Sequence, residues 1–525
     1  MRPRVRKTAH MPNRARPFRA LAALFVAVLC AQGAAAQLRV ATWNITFYYT
    51  DTFGPRVDEL RTAIYAEHEG RSMAPDVFVT QEFIDQNSAD TFLTILNTAP
   101  NSPGDWAAAP FIQGPNTNSA FFYRESKIDF LGVTVVSVGA PSPHHPRNVQ
   151  RYDVRFKGYD SPGATIAIYS THMKAGSSTS DQQRRLVEAQ VIRADAASLP
   201  EGWHFVLAGD LNIQRSTQAA YQHLVGSFDD DGRFFDPVNR PGTWNNQWAY
   251  RVFHTQDPFG LGGMDDRFDQ ILLSASLIDG AGAHYIGDPD IPHSLSTWDD
   301  PNHSYTAWGN DGTSFGQTLT TVGNTMVGEA IAQAIIDCAG NGGHIPVFLD
   351  LRAPAKVGSQ ETIDFGDVAL DAVESRTLFV NNAADVALWT PGGLANLNYT
   401  LSAGAPFGVD AGPFFALPGE TAHGHAVTLD AGAPGLFEAT LEIHSDDPDE
   451  PVRLVALRAN VVAETSCPGD LNGDGVVDFQ DLSEVLSNFG AMGTPGAQPG
   501  DTNNDGVVDF DDLSTVLSAF GTNCE

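Results

Sequence analysis

Basic residues are scarce in this chain, and most of it is scarcer still than the total suggests. Lysine and arginine number 31 against 63 aspartates and glutamates in 525 residues, for a formal charge of −32. Seven of those 31 precede residue 37, in a stretch with no acid, so the remainder stands at −39. Such a surface repels polyanions at long range and excludes a protein built around a broad basic face. It does not exclude a small site where a bound cation reverses the local sign. Long apolar runs are also missing. The one near the N-terminus, Ala20 to Cys30, is too short for a comfortable membrane span, and no later stretch is long and apolar enough. Cysteines are few: Cys30, Cys338, Cys467 and Cys524.

What the first 36 residues do contain is an export pattern. Basic residues from Arg2 to Arg19 precede the apolar run, and small residues at Ala34–Ala36 precede Gln37. We expect a signal peptide over 1–36 and a secreted, extracellular or cell-surface product with no transmembrane segment after cleavage. Met11 is an alternative start. Cys30 invites a lipid anchor, but Leu29 fills a position that usually needs a small residue. In an oxidising compartment Cys467 and Cys524 are placed to form a clasp; Cys338 reads as a small buried side chain.

The remainder, 42% hydrophobic overall, has room for two or three packed domains. Between about 38 and 352, apolar strand-like runs (Leu38–Trp43, Val77–Thr80, Ser119–Tyr123, Thr165–Ser170, Phe205–Ala208, Phe268–Leu273 and Ile345–Leu351) share the chain with a helical stretch at Asp181–Ala197. This mixture predicts an α/β domain. From 353 to 464 short β-like runs recur between Gly, Pro, Asn and Asp breaks, among them Thr377–Val380, Ala426–Leu429, Phe437–Ile443 and Arg453–Leu457, as in a β-sandwich. His423 and His425 sit there in a Gly-rich segment expected to be a solvated turn.

The last stretch, 467–525, is duplicated. Gly469–Phe479 returns as Gly500–Phe510. Each copy sets oxygen donors at loop positions one, three, five, seven, nine and twelve: Asp470, Asn472, Asp474, the Val476 carbonyl, Asp478 and Asp481, then Asp501, Asn503, Asp505, the Val507 carbonyl, Asp509 and Asp512. Gly475 and Gly506 stand at the sharp turn. Calcium takes six to eight such oxygens, so two Ca2+ ions are expected. Apolar helical stretches follow at Leu482–Phe489 and Leu513–Phe520. Loops that end in Asp, each with a single following helix, resemble the type I dockerin family. That resemblance implies calcium-dependent folding and a cohesin-like partner. Phe479-Gln480 and Phe510-Asp511 stand where that family often carries small hydroxyl residues.

Five separated pieces of the first region carry groups suited to phosphoryl chemistry: Asn44 in Ala-Thr-Trp-Asn, Glu82 in Thr-Gln-Glu, His172 in Ser-Thr-His, Asp210 and Asn212 in Gly-Asp-Leu-Asn, and Asp269 in Phe-Asp-Gln. Singly, each reads equally well as a cap, a turn former or a satisfied core residue. In this order they resemble the endonuclease/exonuclease/phosphatase superfamily, an α/β four-layer sandwich of two packed β-sheets flanked by helices. The family's closing Asp-His pair is matched by Gly343-His344, with Gly in place of Asp. The resemblance implies a Mg2+ or Mn2+ ion at Glu82 and Asn44. It implies His344 oriented by Asp269 as general base or water polariser, and a neutral imidazole suits that task. Asp210 would act on the attacking water, Asn212 and His172 on the phosphate, and Arg151 as a further phosphate contact. His303 competes with His344 for the terminal position. The middle region resembles immunoglobulin-like modules of the hydin type through Ile363–Val368, Val380–Asn382 and Ser445–Pro448. The expected product is a secreted phosphoesterase acting on phosphodiesters or phosphomonoesters, extracellular DNA or RNA included, and displayed through its tail. The alternative is a hydrolase scaffold without turnover that serves adhesion.

Overall fold

The computed structural model describes residues 37–48, 56–463 and 467–524. The expected signal peptide at 1–36, with Met11 and Cys30, lies outside the described residues. No helix among them is long and apolar enough to cross a membrane.

Apolar strands build two sheets in the first domain. In the first sheet the order runs His284–Tyr285, Val347–Arg352, Leu38–Tyr48, Val77–Phe83, Asn118–Arg124, Trp106–Ala108, and Thr306–Ala307 also joins Val347–Arg352. In the second it runs Ile128–Ser137, Val149–Phe156, Thr165–His172, His204–Asp210, Asp269–Ser274, Phe234–Phe235. The inner faces meet in a core that includes Val40, Val79, Phe121, Tyr152, Ile168, Val206, Ile271 and Leu349. Helices Val57–Tyr65, Gln86–Thr98 and Gly328–Ala339 cover the outer face of the first sheet, and Thr179–Ala196 and Ala219–Val225 that of the second. This is the expected four-layer order, and every strand run named from the sequence lies in or overlaps an observed strand.

Residues 357–462 form two facing sheets, of four and five strands, around a core that includes Leu378, Tyr399, Val427, Leu441 and Leu457. The expected solvated turn at His423 and His425 is corrected. Both lie on the strand His423–Asp430, and alternation turns His425 inward, where it meets the Tyr399 hydroxyl at 2.8 Å. The sandwich is packed onto the first domain. Trp389 is 1% exposed, stacks edge-on against Phe156 and lies beneath the Lys127 ammonium, while Lys127 donates to Leu388 O.

The last segment holds two helices, Phe479–Asn488 and Phe510–Ala519, around a core of Val477, Val485, Val508 and Val516. The helices start at loop position ten, three residues earlier than expected, because Asp478 and Asp509 cap them in reciprocal boxes with Asp481 and Asp512. Cys467 and Cys524 are disulfide-bonded, with Cα atoms 5.7 Å apart. Cys338 is buried and free.

Candidate active site

Strand register puts three of the candidate residues in one row. In the second sheet His172 pairs with Asp210 on the parallel neighbour, and Asp210 pairs with Asp269 on the antiparallel one. One residue back, Gly209 has φ +151°, and a Cβ there would lie 2.0 Å from Thr171 O, so only glycine lets these strands approach. His172 Nε2 is 3.2 Å from Asp210 Oδ2. Asn212, at φ 52°, turns back so that its N–H donates to Asp210 Oδ1 at 3.1 Å and its Nδ2 to Met173 O at 3.2 Å.

The first sheet contributes the other half. Its two central strands lose register between Asn44 and Tyr48, and Val77–Phe83 loses it again against Asn118–Arg124 between Thr80 and Phe83. Such bulges re-aim side chains at a sheet's rim. Glu82 takes φ 67° there, and its Oε2 accepts from Phe47 N at 2.9 Å. Asn44 Nδ2 lies 3.2 Å from both Glu82 Oε1 and Asp210 Oδ2, which joins the two sheets. His344 enters from the chain before Val347–Arg352, held by Trp43 Nε1 donating to its carbonyl at 2.8 Å. Its Nδ1 is 2.7 Å from Asp269 Oδ2 and its Nε2 3.6 Å from Asp210 Oδ2. Left-handed backbone at Glu82 and Asn212 costs conformational energy, and such strain gathers where side-chain direction matters.

Electrostatics divide the two histidines. Burial, with Arg147 and His344 nearby, holds His172 well below the usual imidazole range, so it is neutral. Burial would lower His344 too, but the Asp269 and Asp210 carboxylates outweigh it and push it up to about 10. The two carboxylates thus favour the protonated imidazole over the neutral one expected from the sequence. Burial raises Asp210, opposed by the His344 charge.

The structure brings together Asn44, Glu82, His172, Asp210, Asn212, Asp269 and His344. It does not bring Arg151, whose guanidinium is taken by Asp153 at 2.8 Å and Asp195 at 2.6 Å on the helix side of the second sheet. His303 lies elsewhere, stacked on His293 and bonded to Ile291 O at 2.7 Å. The arginine that does reach the cluster is Arg147, which donates to His172 O at 3.2 Å. The glycine at 343 has a local cause: a Cβ would lie 2.1 Å from Ala339 O and 2.6 Å from Thr46 Oγ1. Across from it stands Asp257, because Gln256 bridges His344 in antiparallel sense. Asp257 is 8% exposed, its Oδ1 has no hydrogen-bond partner among the described residues, and burial pushes its carboxyl up to about 7. The sequence offered no sign of this second carboxylate.

Among the described residues no three His, Cys, Asp or Glu side chains are grouped as a metal cage. The rim's donor set is sparser: the Glu82 carboxylate, the Asn44 amide and His172 Nδ1, which is buried without a hydrogen-bond partner 3.8 Å from Glu82 Oε1. Mg2+ usually takes one or two carboxylates and completes its shell with water and substrate phosphate, and Mn2+ tolerates imidazole as well. The residues present fit such an ion. Asn44 now donates to both carboxylates, so its amide must turn to offer oxygen. In the C-terminal loops, Asp470 and Asp501 accept from the N–H groups of Gly475 and Gly506, each at 2.9 Å, while Asp481 and Asp512 accept from the loop starts.

A four-layer α/β domain with carboxylates and histidines gathered at one rim defines a class of phosphoryl-transferring hydrolase. The profile of the Endonuclease/Exonuclease/phosphatase family matches residues 41–314, and the chain belongs to that family, whose members are metal-dependent phosphoester hydrolases. Solved structures similar to the chain include an endonuclease/exonuclease/phosphatase family protein from Bacteroides thetaiotaomicron (17% identity, TM-score 0.35, 60% of this chain and 94% of that one). D. rerio TDP2 complexed with a single-strand DNA product is another (15%, TM-score 0.35, 60% and 99%). A third is the B. thetaiotaomicron mannosyl-6-phosphatase (16%, TM-score 0.34, 60% and 99%). No curated protein matches the chain.

Proposed function

We propose that the rim described above hydrolyses a phosphoester, with Glu82 and Asn44 holding a Mg2+ or Mn2+ ion. When bound, that ion supplies positive charge to a phosphate oxygen where negative charge builds. Asp210, a buried carboxylate beside two histidines, orients the attacking water and accepts its proton. His344, kept protonated by Asp269, stabilises the charge developing on the phosphoryl oxygens. Asn212 positions the phosphate by a hydrogen bond, and His172, whose single N–H is turned to Asp210, offers its Nδ1 lone pair to the ion beside Glu82. The observation that carries this reading is the 2.7 Å Asp269–His344 contact facing Asp210, from residues 75 positions apart. The test is hydrolysis of bis(p-nitrophenyl) phosphate and of single- and double-stranded DNA with Mg2+, Mn2+ or Ca2+. Wild-type turnover that disappears in Asp210→Ala and His344→Ala supports the assignment. A wild type silent with every metal favours a scaffold without turnover.

The flanking modules suggest where this occurs. A secreted protein, with residues 353–464 as an immunoglobulin-like spacer and 467–525 as a dockerin-like module binding two Ca2+ ions, accounts for the N-terminal pattern, the disulfide and the duplicated loops. Phe479 and Phe510 are each 69% exposed at equivalent positions, which supports a cohesin-like partner reading this face. Pull-down on an immobilised cohesin domain with and without Ca2+ tests that pairing.

A further inference from the structure

Beside the catalytic cluster lies a cavity of about 410 Å³, walled by Asn116, Pro141, Arg147, Lys174, Ala175 and Arg184 among others, with no carboxylate in its lining. In a chain this acidic, three cations around one hollow are conspicuous. Lys174 is largely answered by Asp181 at 3.1 Å. Arg147 and Arg184 are not: among the described residues neither has a carboxylate within ion-pair distance. Arg184 donates to His144 O at 2.5 Å and Ala140 O at 3.3 Å. Arg147 donates to Thr117 Oγ1 at 3.1 Å and to the carbonyls of His172 and Met173. Two guanidinium charges are thus held in place by neutral acceptors alone.

The wall is pre-set from behind. Arg185 is fully buried, and its Nη1 donates to Lys174 O at 2.5 Å and Gly176 O at 2.8 Å, which fixes the loop that follows His172. Through the Arg147–His172 contact the cavity adjoins the atoms that act on the phosphoester. A fixed guanidinium pair matches the geometry and charge of phosphate oxygens.

We propose that this cavity is a second phosphate subsite, which makes the natural substrate a polyanion carrying a phosphate next to the scissile one. The proposal rests on the hydrolase reading above. A nucleic-acid strand and a small bisphosphate share this chemistry, and the experiment separates them. Kinetics with Mn2+ on the full chain compare 5′-phosphorylated oligothymidylate with bis(p-nitrophenyl) phosphate, which has no second phosphate. Arg184→Gln is expected to lower the ratio of the two kcat/KM values by at least about tenfold, as loss of a charged hydrogen bond implies, and Arg184→Lys by less. Calorimetric titration with thymidine 3′,5′-bisphosphate reads the same cavity without turnover and should weaken in Arg184→Gln.

A ratio change identifies a strand as the source of the phosphate. Weakened bisphosphate binding in a chain that does not cleave the oligonucleotide identifies a small molecule. A wild type that binds the bisphosphate but hydrolyses nothing contradicts the hydrolase reading alone. A wild type that hydrolyses bis(p-nitrophenyl) phosphate while Arg184→Gln leaves both ratio and binding unaltered overturns the subsite alone.

Discussion

At the scale of single residues the account turns on what surrounds each functional group. Restoring the family's carboxylate by Gly343→Asp is predicted to harm the protein, because the new Cβ meets Ala339 O and Thr46 Oγ1. We expect a loss of about 1–3 kcal/mol, as for overpacking elsewhere, read as a lower Tm with no gain in turnover. Asp269→Asn, which keeps the shape but removes the charge that holds His344 protonated, should lower kcat roughly 100-fold or more with little change in fold, checked by steady-state kinetics and circular dichroism. The seven residues at the rim were legible in the sequence through their order, which resembles the family's, and because each is a polar side chain lying in or beside an apolar strand-like run. Arg151 was misread although its neighbour held the sign: Asp153 lies two residues on along the same strand face, where an ion pair forms. Arg147 had no such sign, since it comes from a Pro-containing loop whose path only the fold reveals.

At the scale of elements, the rim depends on struts that do no chemistry. Arg267, fully buried just before the strand that carries Asp269, meets Asp236 through two bonds of 2.8 and 2.9 Å. Removing one partner strands a buried charge, so Arg267→Met should cost about 3–5 kcal/mol in denaturant unfolding. Burial would raise the Asp236 carboxyl, but Arg267 and Tyr221 hold it below its ordinary 3.8. Its folded value is thus depressed. The stability it contributes is present above the ordinary carboxylate range and disappears as pH falls through the lower folded value, so the Arg267→Met deficit should shrink in acid. Strands were easier to foresee than helices for a physical reason. Gly328–Ala339 shows only a narrow polar strip, Glu329, Gln333 and Asp337 at a spacing of four on an otherwise apolar helix, a weaker signal than a strand's apolar run, and Val57–Tyr65 is short.

At the scale of the whole molecule, the sandwich and the hydrolase domain share a core while the C-terminal module keeps its own. Trp389→Ala should therefore destabilise the hydrolase domain as well as the sandwich, by about 3–5 kcal/mol, visible as a shared shift of their calorimetric transition. Four buried valines are a small core, so the module at 467–524 should depend on its disulfide and on the Ca2+ ions proposed above. Closing a 57-residue separation contributes about 4 kcal/mol in the chain-entropy account, so reduction with EGTA should unfold this module first and leave the rest folded. Sequence spacing foretold the disulfide and the paired loops. It gave no sign that Trp389 would seal one domain to the next, because that contact depends on two folds meeting.

The central claim is that residues drawn from two sheets converge on one divalent cation. Anomalous diffraction from crystals soaked in Mn2+ tests it without any substrate. The account predicts a single strong peak at the rim of the first domain, about 2.1 Å from a Glu82 oxygen, that vanishes in Glu82→Gln. A rim with no peak at millimolar Mn2+, or a peak whose ligands exclude Glu82, would contradict it.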